Sequence, residues 1–124
     1  MAAPRLLLVE DEFLIRMTLS EVLADDGFEV VEAEDGHAAL AHLESQDDFA
    51  AMLTDIQLPG GIDGRILAEK VRVRRPDLPV IFMSGGGHGG AQNGGSANPL
   101  DTFVSKPYSP SALSARVRRI IDGG

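Results

Sequence analysis

Residues 5–12 read RLLLVEDE, a short apolar run that stops abruptly at three acids. Arg5 to Val9 shows no polar alternation, the pattern of a strand buried on both faces rather than one exposed to solvent on one side. Such strands belong to parallel sheets covered by helices above and below. The acids that follow, Glu10, Asp11 and Glu12, would then stand just beyond the carboxyl end of a central strand.

The rest of the chain repeats this unit. Phe13 to Asp25 places Ile15, Leu19, Val22 and Leu23 at helical spacing, and Gly27 stops that helix. FEVVE (28–32) reads as a second strand. A short helix over 36–45 carries Ala39, Leu40 and Leu43. FAAMLT (49–54) is a third buried strand, ending at Asp55. After the turn Pro59-Gly60-Gly61, Asp63 is a candidate N-cap for a helix that runs to about Arg75, with Ile66, Leu67 and Val71 inward. LPVIFM (78–83) is a fourth strand and TFVS (102–105) a fifth. Ser109 or Ser111 caps a last helix with the stripe Leu113, Val117, Ile120 and Ile121. Strands alternating with helices predict an α/β fold: a parallel sheet with helices on both faces.

One connection breaks the alternation. Residues 84–100 read SGGGHGGAQNGGSANPL, and seven of the chain's 14 glycines lie between Gly85 and Gly95. Each glycine costs a helix roughly 1 kcal/mol relative to alanine, so the helix expected between the fourth and fifth strands is predicted to be short, disordered or absent. The segment lacks the Gly-Lys-Ser/Thr ending of a phosphate-binding P-loop.

Composition narrows the function. With 124 residues the chain suits one domain over 1–124, with 44% hydrophobic and 24% charged residues. There is no cysteine, which excludes disulfides and thiolate metal sites and makes a reducing, cytoplasmic setting the expectation. No apolar run approaches the roughly 20 residues of a membrane span, and the N-terminus lacks a signal-peptide pattern. The net charge of −8 disfavours nucleic acid as a partner. Arg72, Arg74 and Arg75, and Arg116, Arg118 and Arg119, cluster near helix ends, where cations complement the dipole; partner docking is the alternative. His37 and His42 fall on a helix surface with no partner signal.

In doubly wound sheets ligands sit beyond the carboxyl ends of the strands. The residues there are Glu10-Asp11-Glu12, Asp55, Ser84 and Lys106-Pro107. Crowded carboxylates must protonate or take up a cation. Mg²⁺ fits an oxygen-only set that leaves room for water and phosphate oxygens. A carboxylate can serve as nucleophile toward phosphorus, with a metal and a lysine to neutralise charge and a hydroxyl to donate to a phosphoryl oxygen.

With those residues in place, the chain resembles the response-regulator receiver family along essentially its whole length, from LLLVEDE through TDIQLPGGIDG and VIFMSGG to FVSKPYS. The resemblance implies a flavodoxin-like, doubly wound five-stranded parallel sheet of order 2-1-3-4-5. It implies that Asp55 is the phosphoacceptor and that Mg²⁺ is held by Asp11 directly, Glu10 through water, Asp55, and the backbone carbonyl of Gln57. Ser84 matches the switch hydroxyl, Lys106 the phosphate-contacting lysine, Phe103 the switch aromatic and Pro107 a cis-proline. The implied function is a two-component or phosphorelay receiver that takes a phosphoryl group from a sensor histidine kinase or a histidine phosphotransfer protein. It would signal by docking or onward transfer, as a stand-alone monomer or weak dimer rather than an enzyme. The Pro79-to-Gly86 segment is similar to the Pro-x-x-Phe-x-Thr-Gly pattern of the PFxFATGY-like subfamily, which has an atypical fourth helix and kinases of the HWE or related histidine-kinase type. Three features depart from the commonest pattern: Glu10 stands where Asp is more frequent, PGGIDG is one residue longer, and Phe103 lacks a hydroxyl. The alternatives are a pseudo-receiver that only binds partners, and an aspartyl-phosphate phosphohydrolase. The first would be expected to lose Asp11, Asp55 or Lys106; the second would need an acid soon after Asp55 and a cap domain.

Overall fold

The computed structural model describes residues 3–46, 48–84, 98–106 and 109–122. Among the described residues, five strands and four helices follow one another as β1 (Arg5–Val9), α1 (Phe13–Asp25), β2 (Glu29–Ala33), α2 (Gly36–Ser45), β3 (Ala51–Asp55), α3 (Gly64–Arg74), β4 (Val80–Ser84), β5 (Asp101–Ser105) and α4 (Pro110–Ile121). All strand pairs are parallel, and the sheet order is β2-β1-β3-β4-β5, as the resemblance implies.

The apolar run of β1 is divided by the strand's period of two. Leu7 and Val9 join Met52, Val80 and Phe82 in one core, closed by Ala39 and Leu43 of α2 and Leu67, Ala68 and Val71 of α3. Leu6 and Leu8 face the other way, joining Leu53, Ile81 and Met83 beneath Leu19 and Leu23 of α1 and Leu113 and Val117 of α4. The central strands β1, β3 and β4 are therefore buried on both sides, which is why their sequences do not alternate.

Helix starts follow local chemistry. The Asp35 carboxylate accepts from the Ala38 N–H at 2.8 Å and that of Asp63 from Ile66 at 2.9 Å. Ser109, rather than Ser111, caps α4, accepting from Ala112 with Pro110 in the first turn. Each such cap contributes about 1 kcal/mol.

Three expectations need correction. Ile66 does not point inward: it is 40% exposed, and Ala68 takes the place beside Leu67. Val22 is only half-buried. Arg72 and Arg75 do more than complement a dipole, since their guanidinium groups donate to the Leu78 and Phe49 carbonyls at the starts of β4 and β3. The expected state of the connection over 85–97, His88 within it, and the Pro107 peptide bond lie outside the described residues.

Candidate phosphoryl and metal site

The chain crosses between β1 and its two neighbours in opposite directions: β2 lies on one side, β3 on the other. The connections leaving β1 and β3 therefore part at their carboxyl ends, where an open crevice forms. Glu10 and Asp11 follow β1, and Asp55 is the last residue of β3. One ligand oxygen from each of these three carboxylates lies within 4.8 Å of the others. Asp11 is exposed, whereas Glu10 and Asp55 are only 1% and 8% exposed.

Lys106 follows β5 and reaches across the sheet end. Its ammonium donates to Asp55 Oδ2 at 2.9 Å and stands 3.7 Å from Glu10 Oε1. Its backbone is fixed from below, because the Lys106 N–H donates to the Ser84 carbonyl at 2.8 Å. Ser84 closes β4 and is buried, paired in register with Ser105. Gln57 lines the same cleft of about 400 Å³ together with Asp11, Glu12, Asp55, Leu58, Pro59 and Lys106.

Charge is not balanced here. Three carboxylates face one ammonium. The strain shows at Glu10, whose Oε2 accepts from the Glu12 N–H at 3.0 Å while its buried Oε1 accepts no hydrogen bond among the described residues. Burial pushes the Glu10 carboxyl up from about 4.5 to about 7; Asp55 and Asp11 add to the rise, while the Glu12 N–H and Lys106 oppose it. A buried acceptor without a donor, among three carboxyl groups that share one ammonium, is what a small divalent cation would satisfy. The donors are all oxygen, the set that suits Mg²⁺.

Phe103 sits one layer back. Its ring stacks on Phe82 with centroids 5.0 Å apart, and the Arg65 guanidinium carbon lies 5.5 Å from the Phe103 ring centroid. Asp11, Asp55, Lys106 and Gln57 thus line one cleft, Glu10 is buried beside it with an oxygen within 4.8 Å of those of Asp11 and Asp55, Ser84 adjoins through the Lys106 backbone, and Phe103 is set in the adjoining core.

Two residues of the site escaped the sequence reading. A Cβ on Gly64 would collide with the Asp55 carbonyl and lie 2.9 Å from Ile56 Cα. The Gly64 N–H donates to the Ile56 carbonyl at 2.7 Å. Only glycine lets α3 begin directly against the end of β3. The available signal was a glycine in the first turn, next to the cap Asp63, where propensity gives no reason for it. The second is His37, whose Nε2 lies 3.0 Å from the Gly60 carbonyl; it does have a partner, one that no local pattern announces.

Comparison with known proteins agrees with this arrangement. The sequence model of the family described as "Response regulator receiver domain" matches residues 6–118. The chain is 31% identical over 121 residues to the aerobic respiration control protein ArcA of Escherichia coli strain K12, covering 98% of this chain and 50% of that protein. It is 35% identical over 121 residues to the phosphate regulon transcriptional regulatory protein PhoB of the same strain, covering 96% and 52%. It thus spans about half the length of these curated relatives. Among solved structures, a response regulator receiver protein from Sinorhizobium medicae WSM419 superposes with a TM-score of 0.86 at 25% identity, over 97% of this chain and 95% of that one.

Proposed function

The chain belongs to the response regulator receiver domain family of two-component systems, and from that premise we propose that Asp55 accepts a phosphoryl group from a phosphohistidine. The donor would be a sensor histidine kinase or a histidine phosphotransfer protein. The observation that carries the reading is the contact of Lys106 Nζ with Asp55 Oδ2 at 2.9 Å, within a cluster where three carboxyl groups share that one ammonium.

In the transfer, a carboxylate oxygen of Asp55 forms a bond to phosphorus as the phosphorus–nitrogen bond breaks, and the imidazole departs with the bonding pair. A carboxylate attacks through an oxygen lone pair, so the step asks for no hydroxyl or thiol proton to be removed. The residues Asp11, Glu10, Asp55 and the Gln57 carbonyl would hold Mg²⁺, which supplies charge neutralisation to the phosphoryl oxygens. Lys106 holds Asp55 in place and offers a second cation to the incoming group as a point charge. Ser84 supplies a hydroxyl to a phosphoryl oxygen. The phosphoryl group adds about two negative charges, enough to redirect Lys106, which follows β5, and Ser84, from which the connection to β5 departs.

As a signalling module rather than a catalyst of turnover, residues 1–124 would act in the cytoplasm through protein docking or onward phosphotransfer. ArcA and PhoB carry regulatory titles, and a regulatory output is proposed for this chain on the same basis. The net charge of −8 argues against direct contact with nucleic acid by this domain. Among the described residues no helix is long and apolar enough to cross a membrane. Residues 79–86, PVIFMSGG, suggest kinases of the HWE or related type as donors.

The test is phosphotransfer from histidine-phosphorylated donors. Label should move to the wild-type chain and not to Asp55→Asn. Absence of transfer from every donor and from small phosphodonors alike would leave a binding-only pseudo-receiver as the better reading.

A further inference from the structure

Three of the residues that wall the acidic cleft, Gln57, Leu58 and Pro59, are consecutive. The chain is fastened on either side of them. Before them, the Ile56 carbonyl accepts from the Gly64 N–H at 2.7 Å. After them, the Gly60 carbonyl meets His37 Nε2 at 3.0 Å.

The second fastening matters because of what it holds. Gly60 and Gly61 both adopt positive φ, 87° and 88°. This region is open to glycine in both states, so the pair has little backbone preference of its own to keep the loop in one shape. His37 is in the first turn of α2, an element that contributes nothing else to the cleft. Its ring lies against Gly60 closely enough that a Cβ there would be 3.4 Å from Cδ2. The preceding residue tightens the same junction: a Cβ on Gly36 would come within 2.7 Å of Ile62 Cγ2. Gly36 and His37 thus clasp the loop at Ile62 and Gly60, and α2 is itself pinned at that point by the Asp35 cap.

We propose that His37 is a positioning residue for the cation site: by donating from Nε2 to the Gly60 carbonyl it fixes the Gln57–Pro59 wall, and with it the Gln57 carbonyl, over Asp55. The inference rests on the proposed role of the cleft in holding Mg²⁺. Both the cationic ring and the neutral Nε2–H tautomer can donate. A phenyl ring cannot, and a glutamine amide can reach a similar place.

Mg²⁺ titration followed by NMR of the full chain tests it, comparing wild type, His37→Phe and His37→Gln. His37→Phe should weaken Mg²⁺ binding by about three- to tenfold, the worth of one hydrogen bond, and should speed hydrogen exchange at the Gly60 and Gly61 amides. His37→Gln should restore both toward wild type, which a purely structural role of the ring would not do. Wild-type affinity in His37→Phe would overturn the proposal, as would equal loss in both variants. A wild type that neither binds Mg²⁺ nor takes a phosphoryl group would overturn the function reading and this inference with it, a pattern distinct from the other two.

Discussion

The two ends of the sheet both hold carboxylates against cations, yet they are built to opposite rules. At the amino ends of the strands, Arg5, Arg72 and Arg75 each meet a carboxylate. Arg72 forms an ion pair with Asp101 at 2.6 Å and donates twice to the Leu78 carbonyl. Arg75 reaches the Phe49 carbonyl and Asp77, and Arg5 reaches Glu29 and Asp48. At the carboxyl ends, three carboxylates share one lysine, and Glu10 Oε1 is buried with no donor among the described residues. The first end ties α3 and the β-strands together. The second gathers more carboxyl groups than cations, as the proposed cation and phosphoryl site requires. Charge balance, more than the presence of acidic and basic residues, separates a structural ion cluster from a chemical one.

Removing a cation from the balanced end should have the largest effect on stability. Arg72→Met removes the 2.6 Å ion pair with Asp101 and both hydrogen bonds to the Leu78 carbonyl and should cost about 3 kcal/mol, read by urea denaturation. A loss below about 0.5 kcal/mol, the range of a surface substitution, would break the contrast. Next comes Gly64→Ala, which forces α3 away from Asp55 and should cost about 2 kcal/mol by overpacking. Its Mg²⁺ affinity should fall as well, because the same step shifts the end of β3; an unchanged affinity would detach α3 from the site.

A smaller effect should appear at Glu10. Its folded pKa, about 7, is raised above the ordinary 4.5, so the folded state holds this proton longer than the unfolded chain. Its contribution to stability is full below about pH 4.5 and is lost as pH rises through about 7. Without metal, Glu10→Gln should therefore gain stability over wild type as pH increases across that window, and thermal melts at a series of pH values would show it. Parallel curves for the two proteins would mean that Glu10 is not strained.

The balanced and unbalanced ends were not equally legible in the sequence. The strand-end residues Glu10, Asp11, Asp55, Ser84 and Lys106 could be placed because each follows a short apolar run, and a parallel sheet gathers such positions at one edge. The limits of β1, α1 and α2 agree with the pattern, since continuous burial or strict helical spacing marks them. β2, β3 and β4 begin one or two residues later than the apolar runs, because Phe28, Phe49 and Leu78 pack in the core from the preceding loops. Ile66 misled for a related reason: α3 uses the small Ala68 to approach the sheet, and hydrophobicity alone ranks isoleucine above alanine. The arginine anchors, the Gly64 approach and the His37 clasp depend on contacts between residues distant in sequence or on backbone proximity, which no local period encodes.

The most direct test is phosphoryl incorporation at Asp55 from acetyl phosphate, followed by intact-protein mass with and without Mg²⁺. The wild-type chain should gain one phosphoryl group only when Mg²⁺ is present, while Arg72→Met, if folded, should still gain it and Asp55→Asn should not. Incorporation that is indifferent to Mg²⁺, or that persists in Asp55→Asn, would contradict the assignment of chemistry to the unbalanced end of the sheet.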